Sequence, residues 1–564
     1  MDSEQTVRQR GESEFPTGNI TYKTIKGRKY AYYQWSEGGK QRSRRVRDEE
    51  IDDLTEKIRR RKSTEREQAA RTETIPEEPT FCAVKTGDEL TAFAVKAEGE
   101  ARACAAALQS YLSEENTTRV LVLCGLRRTG KTRLMREALG SMSADSRRRA
   151  AFLQMSPAVD ALKLNCDLKR LVRRGFCTFF VDDVTRSADA CACLSLCTDL
   201  YAVTGIKMIL SGDGLDFCEA SARQNDRCIT VRTTEFPFRE AERVLGGTGW
   251  EDYICRGGTV NRAENPFATG ERADEYAEVA LVRNLRGAVL RDGGDAFPLL
   301  CREKDEVRLT EMLRREVFAL NRRAAADALC KALSAHDLWA KPTWRSWEQL
   351  NSPSPEELAP LREKLQALYP SHPETDEVLW GLERLDVIAP IATISLPQLT
   401  ETERTAVTLP GWRYAQGEGE IRRRLQDPIF GQLSLTERNR LAERALEELR
   451  GRLLQDLILT ETQRAYPHCR VFRLEFAAGA FDMVIFDPAR SACRIYEIKN
   501  ETQRDLRQGR HLRDEKKCAE TEFRYGTVEE KHVIYRGASF RGSEIRFWNV
   551  EEYLRALPTP DSER

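Results

Sequence analysis

The chain of 564 residues carries 90 Lys plus Arg against 90 Asp plus Glu, a formal net charge of zero, although charged residues make up 32% of it. This balance excludes a globally basic nucleic-acid coat, so any surface for an anionic partner has to be local. A single core rarely grows past about 250 residues, so roughly three or four domains are expected.

No apolar run reaches the roughly eighteen residues of a bilayer span. The opening MDSEQTVRQRGESEF has no signal-peptide core either, and a soluble, cytoplasmic protein without membrane contact is expected. The 16 Cys form no CxxC pair, and Cys124 and Cys177 lie in strand-like apolar runs where a free thiol acts as a small hydrophobe. Cys191, Cys193 and Cys197 sit in ACACLSLCTDL with no His nearby, so they read as structural thiols and not as a metal site.

In chain order, residues 18–47 alternate Tyr, Ile and Trp with Lys and Thr around the turn EGGK, the pattern of three short antiparallel strands. Ile51, Leu54 and Ile58 then recur at helical spacing before a charged run that ends in a linker at TIPEEPT, 74–80. These form a first unit, 1–75, of small sheet plus basic helix, followed by a helical lead-in at 76–118. From 119 to 250 apolar runs alternate with helices, which predicts one parallel α/β sheet with strands at 119–125, 150–155, 176–183, 206–212 and 228–233. A helical, winged-helix-like connector is expected at 251–412, ending in an apolar strand pair, and a separate α/β domain at 413–564.

The first strand runs into GLRRTGKT, 125–132, which satisfies GxxxxGK[ST]. In such a loop backbone amides wrap phosphates, Lys131 reaches the outer phosphates and the Thr132 hydroxyl meets Mg²⁺. Gly125, Arg128, Thr129 and Gly130 are the other expected contacts to ATP. The third strand ends in Asp182-Asp183, at the edge where open α/β sheets place ligands. Asp182 is assigned to the metal shell and Asp183 to polarising the attacking water, with a carboxylate one methylene shorter than a Glu.

The order GxRRxGKT, a strand ending in DD, ILSGD, TTEFPFREAERVL and DYICRGGTV resembles bacterial and archaeal AAA+ ATPases that carry a C-terminal nuclease-like domain, over roughly residues 119–500. The resemblance implies Ser211 as the polar sensor on the fourth strand, with Asp213 where Ser or Asn is usual. It also implies Arg227 as an arginine for the γ-phosphate, in its own subunit or in a neighbouring copy of a homo-oligomer.

In the last domain FDMVIFDPARSACRIYEIKNE presents Asp482 and then Glu497-Ile498-Lys499. This D…ExK pattern is similar to PD-(D/E)XK nucleases, in which two carboxylates hold Mg²⁺ and the Lys positions water beside the scissile phosphate. Residues two apart share a strand face, so Glu497 and Lys499 point the same way. The acidic residue normally added by the preceding helix is replaced by Gln455, with Asp456 and Glu461 beside it; Asp487 precedes Pro and reads as the start of a turn.

The N-terminal segment resembles three-stranded modules of mobile-element and DNA-associated proteins, akin to integrase arm-binding domains. Its cations at Lys23, Lys26, Arg28, Lys29, Lys40, Arg42, Arg44, Arg45 and Arg47 are expected to neutralise DNA phosphates. The whole reads as a multidomain α/β, Mg²⁺-dependent ATPase acting with DNA, its terminal domain an ATP-gated nuclease or a catalytically dead interaction domain of a signalling or scaffold NTPase.

Overall fold

The computed structural model describes residues 18–25, 28–37, 40–47, parts of 50–58, 80–96, 102–114, 117–233, 236–247, 249–259, 265–292, 294–334, 363–365, 367–431, 433–503 and 509–558. The expected linker at 74–79 and the connector residues 335–362 lie outside them. The chain is a multidomain mixed α/β protein, with three sheets among the described residues. Among the described residues no helix is long and apolar enough to cross a membrane.

The first sheet is β1 (Gly18–Ile25), β2 (Arg28–Glu37) and β3 (Lys40–Arg45), paired antiparallel in that order. Ala31, Tyr33 and Trp35 alternate onto one face, where with Ile20 they pack against Val46, Ile51, Leu54 and Ile58. The residues expected on the helix thus cover this sheet.

The second sheet holds β4 (Ala83–Lys85), β5 (Val120–Cys124), β6 (Ala150–Gln154), β7 (Thr178–Asp182), β8 (Lys207–Gly212) and β9 (Cys228–Arg232) in the order β4-β6-β7-β8-β5-β9. The last five are the five expected strands, all parallel. Their apolar runs follow from burial on both faces. Val120, Val122 and Cys124 enter one core with Phe179 and Val181, while Leu121 and Leu123 enter the other with Phe152 and Phe180. Strand β4 pairs antiparallel with β6 at the edge of the sheet and was not expected within the helical lead-in. Asp167 secures it by accepting the Phe81 and Cys82 amides at 3.1 and 2.8 Å. The expected helical lead-in contains the helices Gly87–Phe93 and Ala105–Ser113.

The third sheet joins β10 (Ile388–Ser395), β11 (Thr400–Val407), β12 (Arg470–Glu475), β13 (Ala480–Asp487), β14 (Ala492–Ile498), β15 (Thr527–Tyr535), β16 (Phe540–Arg541) and β17 (Arg546–Asn549), in the order β11-β10-β12-β13-β14-β15-β17-β16. The hairpin assigned to the connector therefore extends the C-terminal sheet, because β10 pairs parallel with β12 through Thr393, Ile394 and Ser395. A unit boundary at 413 cuts this sheet in two. The 31-residue helix Leu435–Ala465 starts at a reciprocal cap between Ser434 and Glu437 and buries Leu446, Leu449, Leu453 and Ile458 against Met483, Ile485, Tyr496 and Ile498.

Candidate functional sites

The segment 125–130 leaves β5 at the point where β5 separates β8 from β9, and it enters the helix Lys131–Ser141. Gly125 has φ +155° and a Cβ there would lie 2.2 Å from the Thr233 carbonyl, so only glycine fits. Gly130 has φ +88°, and Arg128, without glycine's freedom, is held at φ 66°. Such strain collects where a loop is shaped for function. The Thr129 side chain turns inward, donating to the Leu126 carbonyl at 2.8 Å with Thr233 Oγ1 at 3.0 Å, so its contribution is to shape the loop. Lys131 Nζ folds back onto the carbonyls of Gly125 and Leu126, both at 2.8 Å. Burial pushes its pKa down, opposed by the nearby carboxylates of Asp213, Asp183 and Asp182.

The expected partners converge on this loop. Thr132 Oγ1 donates to Asp182 Oδ2 at 2.7 Å, and Ser211 Oγ donates to the other Asp182 oxygen. Hydroxyl and carboxylate oxygens are the hard donors that suit Mg²⁺. Asp183 sits in the left-handed region at φ 55°, its amide donating to Ser211 Oγ at 3.0 Å and its Oδ2 accepting from Gln154 Nε2 at 3.1 Å. Burial, then the adjacent Asp182 charge, raises its carboxyl pKa. Asp213 accepts from Arg127 Nε at 2.8 Å and from the Thr185 hydroxyl. Burial works to raise its pKa, but Thr185, Lys131 and Arg127 outweigh that and hold it below the usual value.

Arg227 is not brought to this group. It precedes β9 and its carbonyl accepts from Val120 N, the start of β5, while the phosphate-type loop leaves the far end. A five-residue strand spans roughly 15 Å. The guanidinium instead pairs with Asp199 at 2.6 Å on the surface, so it does not act on this chain's own loop.

Sequence reasoning missed Arg102, whose Nη1 donates to the Thr129 carbonyl within the loop and whose Nε and Nη2 meet both oxygens of Glu240 at 3.0 and 3.1 Å. No spacing rule connects residues that far apart in the chain.

In the C-terminal sheet Asp482 Oδ2 accepts the Ile498 amide at 2.9 Å and lies 3.9 Å from Lys499 Nζ, which is 3.2 Å from Glu497 Oε2. The expected triad is thus assembled around one ammonium group. Glu497 is 1% exposed, and its two oxygens accept the Gly509 and His511 amides at 3.2 and 3.0 Å. Burial raises the Asp482 pKa, countered by Lys499 and the Ile498 amide.

The neighbouring acids of the long helix go elsewhere. Asp456 is held by Arg404 at 2.7 Å and Arg413 at 3.3 Å, and Glu461 by Arg239 at 3.1 Å. The acidic residue of this helix that reaches Asn500, the residue after Lys499, is Glu447, two turns earlier than Gln455: its Oε2 lies 3.3 Å from Asn500 Nδ2, and its Oε1 pairs with Arg450 at 3.0 Å. Asp487 accepts from the amides of Ala489 and Arg490, as a turn-starting Asp does. Among the described residues one further His/carboxylate group, Glu316, His372 and Glu374, gathers at metal-like distances. Arg315 binds both of its carboxylates and Arg323 approaches Glu316 at 3.5 Å, so its charge is already compensated.

On the first sheet the arginines divide. Register places Arg42 and Arg44 opposite the inward Trp35 and Tyr33, and Arg45 opposite Tyr32. Arg45 stacks its guanidinium 4.0 Å from the Tyr30 ring centroid, on the face away from the core. The side chains of Lys23, Lys26, Arg28, Lys29 and Lys40 lie outside the described residues.

A family described as a domain of unknown function, DUF6788, matches residues 2–56, which span this sheet. No curated protein matches the chain.

Proposed function

We propose that this chain binds and hydrolyses ATP with Mg²⁺ in an AAA+-like core and acts with DNA, its C-terminal domain being PD-(D/E)XK-like. The observation that carries the reading is the Thr132–Asp182 hydrogen bond of 2.7 Å, which joins the glycine loop to the tip of β7. Thr132 and Asp182 are the side chains that would hold Mg²⁺, which would supply charge neutralisation to the phosphates. Lys131 then exchanges its two loop carbonyls for phosphate oxygens. Asp183, beyond Asp182, holds the proton-accepting position for water, with Ser211 fixing its backbone. The strand order, with the first parallel strand between the fourth and fifth, agrees with this reading.

In the C-terminal domain Asp482, Glu497 and Lys499 have the residue types and proximity for hydrolysing a phosphodiester, and Glu447 stands where a helix can add a carboxylate. A second reading, an inactive interaction domain, is favoured by Glu497, whose two oxygens already hold backbone amides. Titration of the full chain with ATP, with and without Mg²⁺, followed by phosphate release and nicking assays, tests the whole. Absence of Lys131-dependent ATP binding removes the first reading, and absence of cleavage with Mg²⁺ or Mn²⁺ in every nucleotide state selects the inactive domain.

A further inference from the structure

Two arginine–glutamate pairs with buried carboxylates use adjacent residues of one short helix, Phe238–Leu245. On one side Glu240 takes the Arg102 guanidinium on both oxygens and also accepts the Ala103 amide at 3.1 Å. Arg102, 6% exposed, also donates through Nη1 to the Thr129 carbonyl inside GLRRTGKT. On the other side Arg239 Nε meets Glu461 Oε2 at 3.1 Å, its Nη1 reaches the carbonyls of Leu557 and Pro558 at 2.8 and 2.9 Å, and the Phe238 amide donates to Glu461 Oε1 at 3.0 Å. Glu461 belongs to the 31-residue helix that also carries Glu447 beside Asn500. Successive helix residues point about 100° apart, which lets one turn of helix hold both pairs.

We propose that this helix couples the phosphate loop to the C-terminal acid group, with Arg102 and Glu240 as positioning residues on the loop side and Arg239 and Glu461 on the other. The proposal rests on the ATP-binding reading. Both carboxylates are buried; parting Arg102 from Glu240 leaves an uncompensated charge, and Glu461 is held by Arg464 at 3.3 Å as well as by Arg239. When phosphate draws on the loop, Arg102 carries Glu240, and the helix turns as a unit against Glu461 in a switch between two packings. Coupling of this kind is reciprocal, so a divalent ion at Asp482 and Glu497 alters nucleotide affinity by the factor with which nucleotide alters the ion's affinity.

The test uses the full chain, a non-hydrolysable ATP analogue with Mg²⁺, Mn²⁺ affinity at the acid group, and amide exchange along 435–465. Saturating nucleotide is expected to shift Mn²⁺ affinity or exchange of this helix by about 5-fold or more, within the usual span of coupling factors. Arg239→Lys and Glu461→Gln are expected to keep nucleotide affinity within about 2-fold while abolishing that shift, since binding and coupling are separate quantities. Arg102→Lys, which keeps charge and loses the fork, is expected to weaken nucleotide binding and abolish the shift together. Either single variant, Arg102→Lys or Arg239→Lys, that still binds the analogue and keeps the full wild-type shift overturns the serial arrangement. Wild-type protein that binds the analogue through Lys131 with no change in either readout also overturns the coupling alone. No analogue binding at all removes the nucleotide reading on which it stands.

Discussion

Thr132 Oγ1 and Asp182 Oδ2, fifty residues apart in the chain, lie 2.7 Å from each other. The hydrogen bond locks the start of a helix to the tip of a buried strand, and it has a direct consequence for divalent-ion dependence. Thr132→Ala is expected to leave folding intact and to remove most of the Mg²⁺-dependent part of ATP affinity. Lys131→Ala is expected to reduce binding with or without Mg²⁺, and turnover with it. Isothermal titration at several Mg²⁺ concentrations separates the two; equal affinity of Lys131→Ala and wild type would remove the loop from nucleotide binding.

On the proposed reading, in which Asp183 accepts water's proton, Asp183→Asn is expected to spare ATP binding and to stop hydrolysis. Burial and Asp182 raise the Asp183 pKa, so the carboxylate is lost to protonation at a higher pH than an ordinary Asp. The acid limb of kcat/KM against pH, measured by phosphate release, is therefore expected above the ordinary Asp range near pH 4. A limb at or below that range assigns the base to another group.

Glu497→Ala and Lys499→Ala are both expected to abolish any nicking while ATP turnover persists. They differ in what they leave unpaired. Glu497 holds the Gly509 and His511 amides, and leaving these unpaired costs about 1–3 kcal/mol. Lys499→Ala leaves both amides paired but takes from the buried Glu497 carboxylate the cation 3.2 Å away, so nicking by both variants is compared per folded molecule.

Asp456 lies between Arg404 and Arg413, and Arg413 is 2% exposed. Asp456→Ala strands that guanidinium, with an expected loss of about 3–5 kcal/mol in urea unfolding. Nucleic-acid cleavage per folded molecule should be unaffected, which distinguishes a packing role from metal binding.

The alternation of β3 separates its arginines by face. Arg45→Ala is expected to lower the slope of log affinity for DNA against log salt by about one unit, and Arg42→Ala with Arg44→Ala to change it less. The reverse ranking would place the DNA on the edge of the sheet and not on the Tyr30–Tyr32 face.

The sequence by itself determined whatever is written within one or two adjacent elements. GLRRTGKT after VLVLC places a glycine loop at a helix start, and a continuous apolar run ending in Asp182 needs only burial on both faces to become a strand with an acidic tip. Asp482, Glu497 and Lys499 were readable for the same reason, since neighbouring strands and a two-residue spacing set their common side. The tertiary structure decided whatever depends on how elements are registered against one another. Which turn of the long helix meets Asn500 follows from how that helix seats on β13 and β14, and this selects Glu447 while sending Asp456 and Glu461 to arginines of other segments. The end of the sheet that Arg227 occupies follows from the parallel pairing of β9 with β5. The chain separation between Arg102, Glu240 and Glu461 carries no period for a sequence pattern to report, because buried ion pairs are chosen by three-dimensional proximity and by the need to neutralise charge away from water.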